Sequence, residues 1–125
     1  MEMPATRTPE ELFAGRPAAF RFFSAVRAFV VSLGPVEIRV TKTQISFTAR
    51  TGFAWVWLPQ MWIRKQPDES IVVSFALRRK ITDVRVKQVA EPRPGRFMHH
   101  VVIRREADLD DEVRGWVREA YDEHR

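Results

Sequence analysis

The hydrophobic positions change period twice along this chain, from helical to alternating and back. Thr8-Pro9-Glu10-Glu11 predicts a helix start, with Thr8 as N-cap, Pro9 at the first helical position and Glu11 closing a capping box. Gly15 and Pro17 end that helix, so it is short, Pro9 to Ala14. A second helix is predicted from Pro17 or Ala18 to Leu33. Its apolar stripe is Phe22, Val26, Phe29, Val30 and Leu33, with Ala19 and Phe23 beside it. Gly34 suits a left-handed residue after the last turn, and Pro35 prevents continuation.

From Val36 the period is two. Val36, Ile38 and Val40 alternate with Glu37, Arg39 and Thr41, and Ile45, Phe47 and Ala49 alternate with Ser46, Thr48 and Arg50. Thr41 to Gln44 connects them as a hairpin, and Thr51-Gly52 is a second turn. Phe53 to Leu58 is apolar on both sides. Phe53, Trp55 and Trp57 share one face, and Ala54, Val56 and Leu58 share the other, which predicts a central strand. Met61 to Lys65 is a short continuation and Gln66 to Ser70 a polar loop. Ile71 to Leu77 is another strand, Val84 to Lys87 a shorter one, and Glu91 to Gly95 a loop held open by its prolines. The last strand runs from Arg96 to Arg104.

The period then returns to 3.6. Leu109, Val113, Trp116, Val117, Ala120 and Tyr121 form one helical face, with Asp108 as N-cap and Asp110, Asp111 and Glu112 at the positive end of the helix dipole. The expected fold is α+β: N-terminal helices, an antiparallel sheet of six to seven strands joined as a meander, and a C-terminal helix packed on the sheet. Residues 1–7 are expected as a flexible tail and 8–123 as a single domain.

Composition narrows the chemistry. The 125 residues contain no Cys, which excludes disulfides, thiolate nucleophiles and Cys-ligated metals. No apolar run is long enough to span a bilayer, and the N-terminus lacks a signal-peptide core, so a cytoplasmic protein is expected. The net charge of +5 is uneven. From Val36 to Arg105, fourteen Arg/Lys face five Asp/Glu, whereas from Glu106 onward three face eight. The basic excess lies on the strands and the acidic excess on the last helix.

Several stretches resemble a bacterial family of small domains of unknown function, sometimes labelled predicted transport proteins. The matching residues are Thr8 to Phe13, Lys42-Thr43 with Ile45 and Phe47, Arg50 with Phe53-Ala54, Arg96-Phe97 with His99, and Asp108 to Asp110 followed by Trp116, Ala120 and Tyr121. The resemblance implies a small α+β domain, found alone or attached to other modules. It implies no activity, cofactor or catalytic residue.

Adjacent strand residues point to opposite faces, so His99 and His100 cannot readily share a metal, and no metal or cofactor is expected. Helix capping accounts for the acidic cluster, the five glycines are scattered, and no Ser or Thr is marked as a nucleophile, so no enzyme is expected. The expected function is a non-catalytic binding or interaction module for a small molecule or peptide. The candidate ligand site, for an anionic or aromatic group, is His99, Arg50, Lys42, Trp55 and Trp57. The alternative is nucleic-acid binding by a basic sheet surface. Its cations would be Arg39, Arg64, Lys65, Arg78 and Arg85, with tryptophans available to stack on bases. An exposed edge strand or the tryptophan face also suits a homodimer.

Overall fold

Among the described residues, six strands build one antiparallel sheet, and the apolar faces of the helices cover the same side of it. The computed structural model describes residues 8–58 and 69–125, the side chains of Lys87 and Gln88 excepted. The expected tail 1–7 and the strand continuation 61–65 lie outside the described residues.

Helix α1 (Pro9–Leu12) opens on the capping box that the sequence predicts: Glu11 N donates to Thr8 Oγ1, and Thr8 N donates to Glu11 Oε1. It stops at Leu12, short of Ala14. Helix α2 (Pro17–Leu33) buries Ala19, Phe22, Phe23, Val26 and Val30. Its N-terminus has no cap from its own N-cap residue. Glu69, distant in sequence, accepts from Ala18 N at 2.5 Å and puts a carboxylate at the positive end of the helix dipole.

The strands are β1 (Glu37–Val40), β2 (Gln44–Thr48), β3 (Gly52–Trp57), β4 (Ile71–Leu77), β5 (Val86–Arg93) and β6 (Arg96–Ile103). Their order across the sheet is β1-β2-β3-β4-β6-β5. The first four follow the expected meander. The last two do not, because β6 lies between β4 and β5. Burial explains the exchange. The C-terminal half of β6 carries Val101, Val102 and Ile103, all buried, and belongs inside the sheet. Strand β5 contains Pro92, which lacks an N–H and is tolerated at an edge. Residues 91–93, expected as loop, therefore join the strand.

A register shift at the start of β3 corrects a second expectation. Phe47 pairs with Ala54, but Thr48 pairs with Gly52, so Phe53 is an extra residue and the strand bulges there. The bulge turns Phe53 to the helix side. Its ring meets Tyr121 edge-on at 5.3 Å, and it does not share a face with Trp55 and Trp57.

Helix α3 (Asp111–His124) packs on β3 and β4. It begins two residues later than Leu109, and its N-cap is Asp110, whose Oδ1 accepts from Val113 N at 3.0 Å. Asp108 instead ends a 3-10 turn, Glu106–Asp108, and accepts from Arg104 N. The core is a chain of rings beneath the helices. Phe13 stacks on Phe23, Phe23 on Phe47, and Trp116 on Phe75. No helix among the described residues is long and apolar enough to cross a membrane.

Candidate functional site

The register separates the residues of the expected ligand site. Phe47, Ala54, Phe75 and His99 form one row across the helix-covered face. Ser46, Trp55, Ser74 and His100 form the next row, which points to the other face. His99 is fully buried and stacks on Phe75 at 5.1 Å, nearly parallel. Its Nε2 accepts from Ile81 N at 3.0 Å, which leaves Nδ1 as the protonated nitrogen, 3.4 Å from Phe75 O. Burial pushes its pKa down, so it is a neutral, hydrogen-bonded core histidine. Trp55 and Trp57 lie on the opposite face from it. Lys42 sits in the turn before β2, and Arg50 follows the end of β2, so the strand separates them. These five residues do not meet.

On the face away from the helices, Ser74 Oγ lies 2.6 Å from His100 Nδ1. A serine beside a histidine invites comparison with a nucleophile and its base. Ser74 is only 1% exposed, and burial together with the nearby His99 pushes His100 down to about 4. An imidazole so shifted is a weak base at neutral pH. The pair satisfies two polar groups in the sheet.

Of the expected nucleic-acid cations, the three among the described residues are dispersed. Arg85 is held by Asp83, Asp110 and Glu112, with N–O distances of 3.4, 2.7 and 2.5 Å, and lies over the Trp116 ring. Arg39 is exposed on the edge strand β1. Arg64 and Lys65 lie outside the described residues. Arg78 lies elsewhere, at the far end of β4.

That end of the sheet holds a cleft of about 290 Å³. Three segments build it: Thr51 at the turn into β3, Arg93-Pro94-Gly95-Arg96 at the β5–β6 hairpin, and Glu123-His124 at the end of α3, with Leu77 and Arg78 beside them. The hairpin is tight because Gly95 takes φ +77°, the positive value that the third residue of a Pro-Gly turn requires. The turn sets Arg93 directly opposite Arg96 in the ladder. Like charges placed so repel each other. Burial and the charge of Arg93 both push the Arg96 guanidinium below its ordinary pKa.

The α3 terminus forms the opposite wall. Arg50 N and Thr51 N both donate to His124 O, at 2.8 and 3.2 Å, and so dock the last turn of the helix against the sheet. His124 Nδ1 donates to Ala120 O at 2.7 Å, which leaves Nε2 to accept from Arg96 Nη1 at 3.1 Å. Arg96 Nη2 reaches Gly52 O at 3.5 Å. Glu123, the one carboxylate among the described residues that line the cleft, accepts from Arg78 N. Among the described residues, neither Arg93 nor Arg96 has a carboxylate within ion-pair distance.

The cleft takes Arg78 from one expected group and none of the other; Arg50 only holds its wall, through the N–H that donates to His124 O. Arg93, Thr51 and His124 were not marked by their spacing. The available signal is Arg-Pro-Gly-Arg, expected only as part of a loop, which the structure closes into a tight turn that sets two arginines opposite each other. Among the described residues no group of three His, Asp or Glu is placed to hold a metal ion.

Comparison with known proteins gives one match. The family described as Domain of unknown function (DUF5655) matches residues 10–124. No curated protein and no solved structure matches the chain.

Proposed function

This chain belongs to the DUF5655 family, and we propose that it is a non-catalytic binding module whose arginine-lined cleft takes a small anionic group. The observation that carries this is the opposed pair Arg93 and Arg96 at the mouth of a concave site, where among the described residues no carboxylate, Glu123 included, comes within ion-pair distance of either. Arg96 hydrogen-bonds His124 and Gly52 O, but the guanidinium of Arg93 facing it adds repulsion. An anion between them turns the repulsion into two charge-assisted contacts, and planar guanidinium forks suit the oxygens of phosphate or carboxylate.

The size of the cleft favours a compact anion or the anionic end of a larger ligand. Pockets for drug-sized molecules start at roughly 300 Å³. The covered Ser74 and the weakly basic His100 support a binding role over catalysis. The neutralised Arg85 and Arg79 support a local anion site over a basic surface spread along the sheet.

A titration of inorganic pyrophosphate into isotopically labelled protein, followed by amide NMR at constant ionic strength, tests the site. Saturable shifts are expected at Thr51, Gly95 and Arg96, with the Trp55 and Trp57 signals unmoved. Shifts that never saturate, or that centre on the tryptophans, refute it.

A further inference from the structure

The two edges of the sheet are built differently. Strand β5 is an edge blunted by Pro92 and by two register shifts against β6. Such devices discourage pairing with another chain. Strand β1 has neither. It runs Glu37-Ile38-Arg39-Val40 in regular register with β2, and among the described residues nothing pairs with its other side.

The side chains of β1 have a symmetry of their own. Glu37 pairs with Thr48 and Arg39 with Ser46, so both charged residues stand on the face of the sheet away from the helices. Both are exposed, and neither has an ion-pair partner among the described residues. Ile38, between them, pairs with Phe47 on the helix side and packs against the core while remaining only partly buried.

We propose that β1 pairs with β1 of a second copy of this chain, antiparallel and centred on Ile38, to make one continuous sheet across a two-fold axis. In that register Glu37 of each copy faces Arg39 of the other. The two-fold operation produces both attractive pairs at once, as an isologous contact requires. The two Ile38 side chains meet on the axis and extend the apolar layer beneath the sheet. A strand from another protein would need the complementary charge pattern in the same register. A second copy carries it by construction. Four residues per strand form a small contact, below the standard size for a stable complex, so the association is weak and depends on concentration.

Sedimentation velocity on the full chain, from micromolar to millimolar concentration, tests the pairing by charge exchange. Glu37→Arg sets arginine against arginine, and Arg39→Glu sets glutamate against glutamate. Each variant alone is expected to weaken self-association about tenfold or more, since attraction becomes repulsion at two symmetric positions. An equimolar mixture of the two variants is expected to associate at least as well as the unaltered chain, because every facing pair is then opposite in sign. Far-UV circular dichroism checks that each variant is folded, and the doubly exchanged chain, Glu37→Arg with Arg39→Glu, should self-associate like the original. A chain that stays monomeric at millimolar concentration overturns the proposal. So does a dimer that ignores both substitutions, or a mixture that fails to recover association.

Discussion

The hydroxyl of Tyr121 occupies the space that a side chain at Gly34 would need. Gly34 follows α2 with φ +147°, and a Cβ built there would overlap Tyr121 Oη. The hydroxyl in turn donates to Pro35 O at 3.2 Å. The end of α2 is thus fastened to the last helix by one contact that requires a glycine on one side and a phenol on the other. This φ is positive but far from the left-handed helical value, so Gly34 serves close approach more than the standard helix ending.

Gly34→Ala should therefore destabilise the fold by about 2–4 kcal/mol, from the unfavourable backbone region and the displaced ring together. Tyr121→Phe alone should cost about 1 kcal/mol, the value of one hydrogen bond. In the Tyr121→Phe background the alanine should cost less than in the unaltered chain. Urea unfolding of the four proteins measures this coupling, and strict additivity would contradict it.

Stability should fall in mild acid because of the adjacent histidines. Desolvation holds both His99 and His100 below the ordinary imidazole value, and His100 is pushed down to about 4. Above roughly pH 6.5 they are neutral in both the folded and the unfolded chain. Below that value the unfolded chain takes up protons that the folded chain refuses, so unfolding becomes easier as the pH drops toward 4. With allowance for partial exposure, His100 alone should cost on the order of 1–2 kcal/mol between pH 7 and pH 5. Asp110, held low by the Val113 N–H, and Glu119, held low by Arg79, continue the loss in the same direction at lower pH. Urea midpoints at pH 7 and pH 5 should differ less for His100→Asn than for the unaltered chain. An equal fall in both would remove His100 as a cause.

The opposed arginines should carry a cost in the absence of ligand. Arg93→Thr removes the like-charge pair across the hairpin and places a β-branched residue in a strand. It should raise the stability of the ligand-free protein by about 0.2–1 kcal/mol. Pyrophosphate should raise the melting temperature of the unaltered chain and leave that of the variant nearly unchanged. A variant that is less stable without ligand would show that Arg93 serves the fold.

The elements were legible in the sequence where the signal is local. The capping box at Thr8, the stripe of α2 and the face from Val113 to Tyr121 all depend on spacing within one segment, and the structure has them. Strands β1 to β4 and β6 were legible for the same reason, whereas β5, expected over Val84 to Lys87, runs from Val86 to Arg93. What escaped was set by distant partners. The place of β6 between β4 and β5 depends on which strand can be buried on both sides. The turn of Phe53 toward the helices depends on a bulge against β2. His99 shares parity with Phe97, Val101 and Ile103, so its inward direction is legible, but its partners, Ile81 N and the Phe75 ring, come from other segments. The cleft is the extreme case, since Thr51, Arg93, Arg96 and His124 come from three parts of the chain. The Arg-Pro-Gly-Arg stretch, expected only as part of a loop, is the one local signal for part of it.

The affinity of pyrophosphate for the unaltered chain, beside that of Arg93→Ala, Arg96→Ala and Arg85→Ala, bears most directly on the anion site. Isothermal titration at fixed ionic strength supplies all four values. Losing either cleft arginine should weaken binding about tenfold or more, as expected for a charge-assisted contact worth about 1.5–3 kcal/mol. Arg85→Ala should bind within about twofold of the unaltered chain, because that guanidinium is already held by three carboxylates away from the cleft. Equal affinities across all four proteins, or no binding by the unaltered chain, would contradict the account.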